Sequence, residues 1–238
     1  MNRTPLSLRR AFSLIELIVV IAIIGIVAAY VVPKVDSILK GSTLSQASTI
    51  ITDQIRLARD VALQKNIKVE VRFYQYADPE VPGETLGQAS TGKFRAIQLF
   101  TVETVTINGA VTEMPVAYDK PQLLPQGIIM NQNITPQVYS SLLNIPGVSP
   151  LPGSGDPAQT KLPRGIGNNF NYLTFRYMPD GSTNLAVTPT GTVGPPWFLT
   201  INSAVDVGYL KGSTPYNFFC IQIDPLVGTT TSYRPQAG

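Results

Sequence analysis

Residues 11–33 read AFSLIELIVVIAIIGIVAAYVVP. From Phe12 to Val32 the run holds 21 residues. As a helix rising about 1.5 Å per residue, it is long enough to cross a hydrocarbon core about 30 Å thick. Glu16 is its one charged side chain, and Arg3, Arg9 and Arg10 precede it. That order fits a membrane segment whose N-terminus stays on the cytoplasmic side, with the rest of the chain outside. Three readings compete. Ala28-Ala29 offers small residues for a signal peptidase, and Arg9-Arg10 suggests twin-arginine export. The run is longer than the roughly 7–15 residues of a cleaved signal, however, and neither export pathway accounts for an acid inside it. Length and acid together favour a retained anchor.

A carboxylate within a bilayer costs about 2.5 kcal/mol or more, so Glu16 calls for a partner. The plain account is an acid close enough to the interface to reach water. A more specific one is a free α-amine on a neighbouring copy of Phe12, which exists if the chain is cut between Ala11 and Phe12. The string Ala11-Phe12-Ser13-Leu14-Ile15-Glu16 resembles the cleavage and methylation motif of type IV prepilins. The resemblance implies removal of a basic leader after Ala11 by a prepilin peptidase, which then methylates the nitrogen of Phe12. It also implies that Glu16 pairs with the terminal amine of an adjacent pilin-like subunit during filament assembly. Gly25 and Pro33 match that family's helix-weakening glycine and kink proline. Ala11 stands where the family usually has glycine.

Beyond Pro33 the spacing predicts a second helical stretch. Leu44, Ala47, Ile51, Ile55, Ala58 and Ala62 recur every three or four residues as one apolar stripe. Gln46, Asp53, Arg56, Asp60 and Gln64 fall off it. At Ile67 the period changes. Lys68-Val69-Glu70-Val71-Arg72-Phe73 alternates polar and apolar residues and predicts a half-buried strand. Further strands are expected at 94–103, 127–130, 172–177, 197–202 and 217–223, with a turn at Met178-Pro179-Asp180-Gly181-Ser182. The expected fold is α+β: a long N-terminal helix packed on a mostly antiparallel sheet. Its parts are a leader (1–11), a transmembrane half-helix (12–33), an amphipathic half-helix (34–66) and a β-rich head (67–238). Loop insertions are expected at about 77–92 and 120–169, the second lying across one face with a short strand or helix inside it.

The head carries looser likenesses. Leu57-Ala58-Arg59-Asp60-Val61-Ala62, leading into the strand at Val69, is similar to the helix-to-strand passage of H-type minor pseudopilins and FimT-like pilins. Leu124-Pro125-Gln126-Gly127-Ile128, 175–181 and 221–228 resemble later pieces of that family. The chain most resembles the group called Verru_Chthon cassette protein D, in Val69-Glu70-Val71-Arg72-Phe73-Tyr74-Gln75-Tyr76-Ala77-Asp78-Pro79, Trp197-Phe198-Leu199-Thr200 and Gln222-Ile223-Asp224-Pro225. That resemblance implies a prepilin-like component without a known activity.

Composition narrows the function. The formal charge of +3 sits in the leader: without Arg3, Arg9 and Arg10, the basic residues equal the 15 acidic ones. A neutral mature chain argues against nucleic acid as the partner. The chain has no histidine, and its single cysteine, Cys220, lies in the buried-looking string Phe218-Phe219-Cys220-Ile221. His-based catalysis and His metal sites are therefore excluded. Asp78, Glu80 and Glu84 lack the spacing of a calcium loop, and Gly165-Ile166-Gly167 lacks a phosphate loop's lysine. Arg72, Tyr74 and Tyr76 suggest base stacking less than a core with a polar rim. No cofactor or metal is expected, and no enzyme. The expected function is a structural subunit of a type IV pilus-like or type II secretion-like filament, located in the inner membrane with its head on the periplasmic side. The alternative is an anchored module whose head captures DNA or a secreted substrate.

Overall fold

The computed structural model describes residues 13–78, 80–81, 83–85, 87–107, 109–134, 137–145, 147–185, 197–204 and 217–234; the side chains at 28–40, 90, 107 and 137–139 fall outside that description. The chain divides into two compact units, one ending at Gly41 and the other beginning at Ser42. One helix, α1 (Leu14–Lys65), belongs to both. Its helical assignment runs unbroken through position 33. The side chain of Pro33 lies outside the described residues.

In the second unit, α1 presents one buried stripe. Leu44, Ala47, Ile51, Ile55, Ala58 and Ala62 are all buried, whereas Gln46, Asp53, Arg56, Asp60 and Gln64 are exposed. The helix stops because Asn66 turns left-handed (φ 54°) and the Ile67 N–H donates to Ala62 O at 3.3 Å. Asparagine tolerates that conformation, and the bond satisfies a carbonyl the helix leaves open.

Ten strands follow: β1 (Val69–Tyr76), β2 (Lys93–Ile107), β3 (Ala110–Ala117), β4 (Gln122–Leu123), β5 (Ile128–Met130), β6 (Leu151–Pro152), β7 (Asn171–Tyr177), β8 (Trp197–Ser203), β9 (Phe218–Ile223) and β10 (Thr230–Tyr233). They form one antiparallel sheet in the order β10-β9-β8-β5-β2-β1-β7-β6, with β3 and β4 also paired to β2. The fold is therefore α+β, a single long helix followed by an antiparallel sheet. β3, β10 and the end of β2 were not expected from the sequence. β3 and the β2 end form a hairpin that shows little hydrophobic alternation, because most of β3 is exposed.

One expectation is corrected. β1 is not half-buried: all its residues are buried except Gln75, which is intermediate. Its odd positions Val69, Val71 and Phe73 join the α1 stripe in the main core. Its even positions Tyr74 and Tyr76 join a second core with Ala96, Phe100, Leu162, Ile166, Phe170 and Tyr172. The polar members of the alternation thus face a covered surface rather than water. The cover comes from 120–169, which serves both faces rather than one. Leu142 and Leu143, in a 3-10 segment, enter the main core, while Leu162 and Ile166, with Phe170 directly after the insertion, close the other side. The loop at 77–92 holds little regular structure, and its acids are engaged. Glu84 pairs with buried Arg95 at 2.7 Å and accepts the Asp78 N–H, while Glu80 accepts from Gln126. Among the described residues no group of acids is placed to hold a metal.

Gly92 fixes this loop against β1. A Cβ there would lie 2.0 Å from both the carbonyl carbon and oxygen of Tyr76. Gly25 has nothing within 4 Å. The Gly92→Ala variant is expected to lose about 1–3 kcal/mol, or more if the backbone cannot shift. Gly25→Ala is expected to be neutral or to strengthen its helix by up to about 1 kcal/mol. Urea unfolding of the full chain in detergent, with the two variants side by side, measures the contrast.

Candidate functional site

The N-terminal segment is built from Ser13 onward. Ser13 caps α1: the Glu16 N–H approaches its Oγ at 3.4 Å, and the Glu16 and Leu17 N–H groups donate to its carbonyl at 3.1 and 3.2 Å. Ser13-x-x-Glu16 has the spacing of a capping box, in which the acid would reach back to the cap's own N–H. That return bond is not formed. The Glu16 carboxylate is exposed and has no partner among the described residues. An acid in the first turn also suits the positive end of a helix.

Around it the surface is apolar on every side. Leu14, Ile15, Leu17, Ile18, Val19, Val20, Ile21, Ile23, Ile24, Ile26 and Val27 are all exposed. Successive residues turn by about 100°, so these positions cover the whole circumference rather than a stripe. A helix of this kind belongs in apolar surroundings. Among the described residues, no helix is long and apolar enough to cross a membrane. The apolar run continues in the sequence through Ala28–Val32, whose side chains lie outside the described residues, as do Ala11 and Phe12 entirely. Gly25 sits on the exposed helix.

Residues 6–32 match the family described as the prokaryotic N-terminal methylation motif. The match supports a type IV prepilin-like protein. It spans Ala11, Phe12, Glu16 and Gly25, ends one residue before Pro33, and leaves the head outside. It implies processing by a prepilin peptidase and assembly with other pilin subunits. No curated protein and no solved structure matches the chain.

The head holds a polar cluster that the sequence reading missed. On the second face of the sheet, Arg72 meets Glu70 at 2.7 Å and Asp156 at 2.7 Å, with all three side chains at most 4% exposed. Its guanidinium carbon lies 4.0 Å from the Phe100 ring centre and 4.6 Å from that of Tyr172. Arg176 bridges Glu70 (2.8 Å) to Glu113 (2.6 Å), and Lys68 completes the chain at Glu113 (2.5 Å). Three cations and three anions alternate from surface to core. Burial would lower the affinity of Arg72 for its proton, but Glu70 and Asp156 outweigh it and push that affinity up. Burial likewise opposes ionisation of Asp156. Hydrogen bonds from Arg72, from Thr160 and from the Ala158 N–H outweigh it and hold the carboxyl below the usual range. A cleft of about 330 Å³ opens beside the chain, lined by Glu113, Pro115, Leu151, Pro157 and Tyr172. Every charge facing it is already neutralised, so the cluster acts structurally: it ties the 156–160 turn to β1. The available signal was Glu70-x-Arg72-x-Tyr74, spaced by two on one strand face, together with a long insertion in need of a surface.

Because Asp156 titrates lower when folded, its contribution is complete above the unfolded value near 3.9 and is lost as pH falls through the folded value. Asp156→Ala strands a buried guanidinium and is expected to cost about 3–5 kcal/mol, whereas Lys68→Ala on the rim costs at most about 1 kcal/mol. In the full chain, hydrogen exchange of residues 156–170 is expected to rise below about pH 4. Asp156→Asn should flatten that acid dependence while lowering protection at neutral pH. Equal effects of the two alanine variants would contradict the assignment.

Proposed function

We propose that the chain is a structural subunit of a type IV pilus-like or type II secretion-like filament. A prepilin peptidase cuts it between Ala11 and Phe12 and methylates the Phe12 nitrogen. Phe12–Val32 then anchors the protein in the inner membrane, N-terminus toward the cytoplasm and head on the periplasmic side, until the helix moves into a bundle of like helices. Gly25 and Pro33 loosen the helix for that passage. The chemistry is done upon the chain rather than by it. The resemblance to Verru_Chthon cassette protein D supports, within this reading, a component that works beside other prepilin-like proteins.

The observation that carries this reading is Glu16: an acid with no partner among the described residues, at the start of a helix that is apolar on every side. In lipid or in a helix bundle, such a charge is costly until a cation neutralises it. The amine of a neighbouring Phe12 lies at the matching depth, because both groups belong to the same end of the same segment. The pairing also sets the axial register of one subunit on the next.

Expressed with its partner pilin-like subunits, the wild-type chain is expected to yield a mature N-terminus at Phe12 bearing one added methyl group by mass spectrometry. Glu16→Gln is expected to insert in the membrane and be cleaved normally, yet to be incorporated into filaments at least tenfold less. Full incorporation of that variant would sink the pairing, and an intact leader on the wild-type chain would sink the processing.

A further inference from the structure

A second site lies on the flank of the helix beside its buried stripe, where α1 meets the turn between β9 and β10. Arg56 and Arg59 stand three residues apart, hence on one helix face. The Arg56 Nε–H donates to Thr230 Oγ1 at 3.3 Å, and the Arg59 Nε–H donates to Val227 O at 3.0 Å. These bonds hold both guanidinium groups at the edge of a cleft of about 250 Å³ lined by Arg56, Arg59, Asp60, Gly228, Thr229 and Thr230. Among the described residues, no carboxylate lies within ion-pair distance of either arginine, and their terminal NH2 groups have no partner. Two like charges held side by side without a counterion are unfavourable, and an anion between them removes the cost.

The opposite wall is fixed before any ligand arrives. The Asp224 carboxylate accepts the Leu226 and Val227 N–H groups at 2.9 and 3.2 Å, and the Gly228 N–H donates to Asp224 O at 2.8 Å. The Tyr177 hydroxyl donates to Gly228 O at 3.0 Å. Gly228 is left-handed (φ 71°) and packs so closely that a Cβ would lie 2.0 Å from Gly181 O. A wall this constrained loses little freedom on binding.

We propose that this cleft binds a single carboxylate group presented by a peptide. The lining carries two positive charges and one negative, Asp60, so a monoanion neutralises it while a phosphate dianion overshoots. Guanidinium groups suit a planar carboxylate, which two parallel N–H donors can grip. The two threonine hydroxyls are further donors at the rim. Leu226 and Val227, 63% and 52% exposed on the same turn, offer apolar contact to the residues flanking an acid in a peptide, which a small organic acid lacks. The site does not depend on the filament reading.

The test uses the full chain in detergent micelles, with the backbone amides of Gly228, Thr229 and Thr230 followed by NMR. The probes are acetyl-Leu-Glu-Leu-amide, its glutamine counterpart, acetate and inorganic phosphate. Saturable shifts are expected with the glutamate peptide, at least tenfold weaker binding with acetate, and none with the glutamine peptide. Replacing both arginines (R56K/R59K) keeps the charge but loses the planar donors, and should weaken the glutamate peptide about tenfold. Asp60→Asn leaves both arginines in place and should bring phosphate up to parity with the peptide. The proposal is overturned by an absence of saturable shifts, by equal binding of the glutamate and glutamine peptides, by phosphate binding tightest to the wild-type chain, or by an unchanged phosphate affinity in Asp60→Asn. Acetate binding as tightly as the peptide would overturn the assignment to a peptide.

Discussion

A guanidinium cannot be taken out of water without carboxylates to receive it, and the head is arranged around that requirement. Arg72 lies in the middle of the sheet, on the face away from α1, with Glu70 beside it on β1 and Asp156 brought from the insertion. The pair alone would remain a costly arrangement in low dielectric. The rings of Phe100 and Tyr172 shield it, and the backbone donors of Ala158 and Thr160 fix the incoming acid. Once Asp156 is tied down, the chain from 150 to 170 must run over this face. Leu162, Ile166 and Phe170 are thereby delivered to Tyr74, Tyr76 and Tyr172, and the second core forms. The sheet is thus buried on both faces at β1, although only one of them meets the helix.

The two ends of the molecule treat charge in opposite ways. Every ion in the Arg72 cluster is answered within the chain. Glu16 finds no partner among the described residues, and its surroundings are the most apolar stretch of the sequence. One arrangement closes a fold; the other leaves a charge exposed on an apolar helix.

The helix was legible because periodicity is local: the spacing of Leu44, Ala47, Ile51, Ile55, Ala58 and Ala62 marks their common face without knowledge of what covers it. Strands β1, β2, β5, β7, β8 and β9 could be anticipated on similar grounds. The N-terminal motif was legible because Phe12, Glu16 and Gly25 stand at fixed offsets. The second face was not. Lys68-Val69-Glu70-Val71-Arg72-Phe73 alternates as a strand facing water does, and nothing local distinguishes a polar face left bare from one covered by residues 84 positions further on. The Arg56–Arg59 cleft was hidden for the same reason, since half of it arrives from Gly228–Thr230. β3 escaped notice because its stability comes from pairing with β2 rather than from burial of its own side chains.

That hairpin has a further consequence. The Tyr118 N–H donates to Leu99 O, and the pairing continues as Phe100 with Ala117 and Val102 with Pro115. In an antiparallel ladder, bonded and non-bonded pairs alternate, so the backbone groups of Val111, Glu113, Pro115 and Ala117 point away from β2. Along this free margin the central donor is missing, because proline has no N–H. A strand from another molecule arriving there would find its ladder interrupted at the middle rung. The missing rung thus makes this margin a poor template for a second sheet, and the head keeps its own edge.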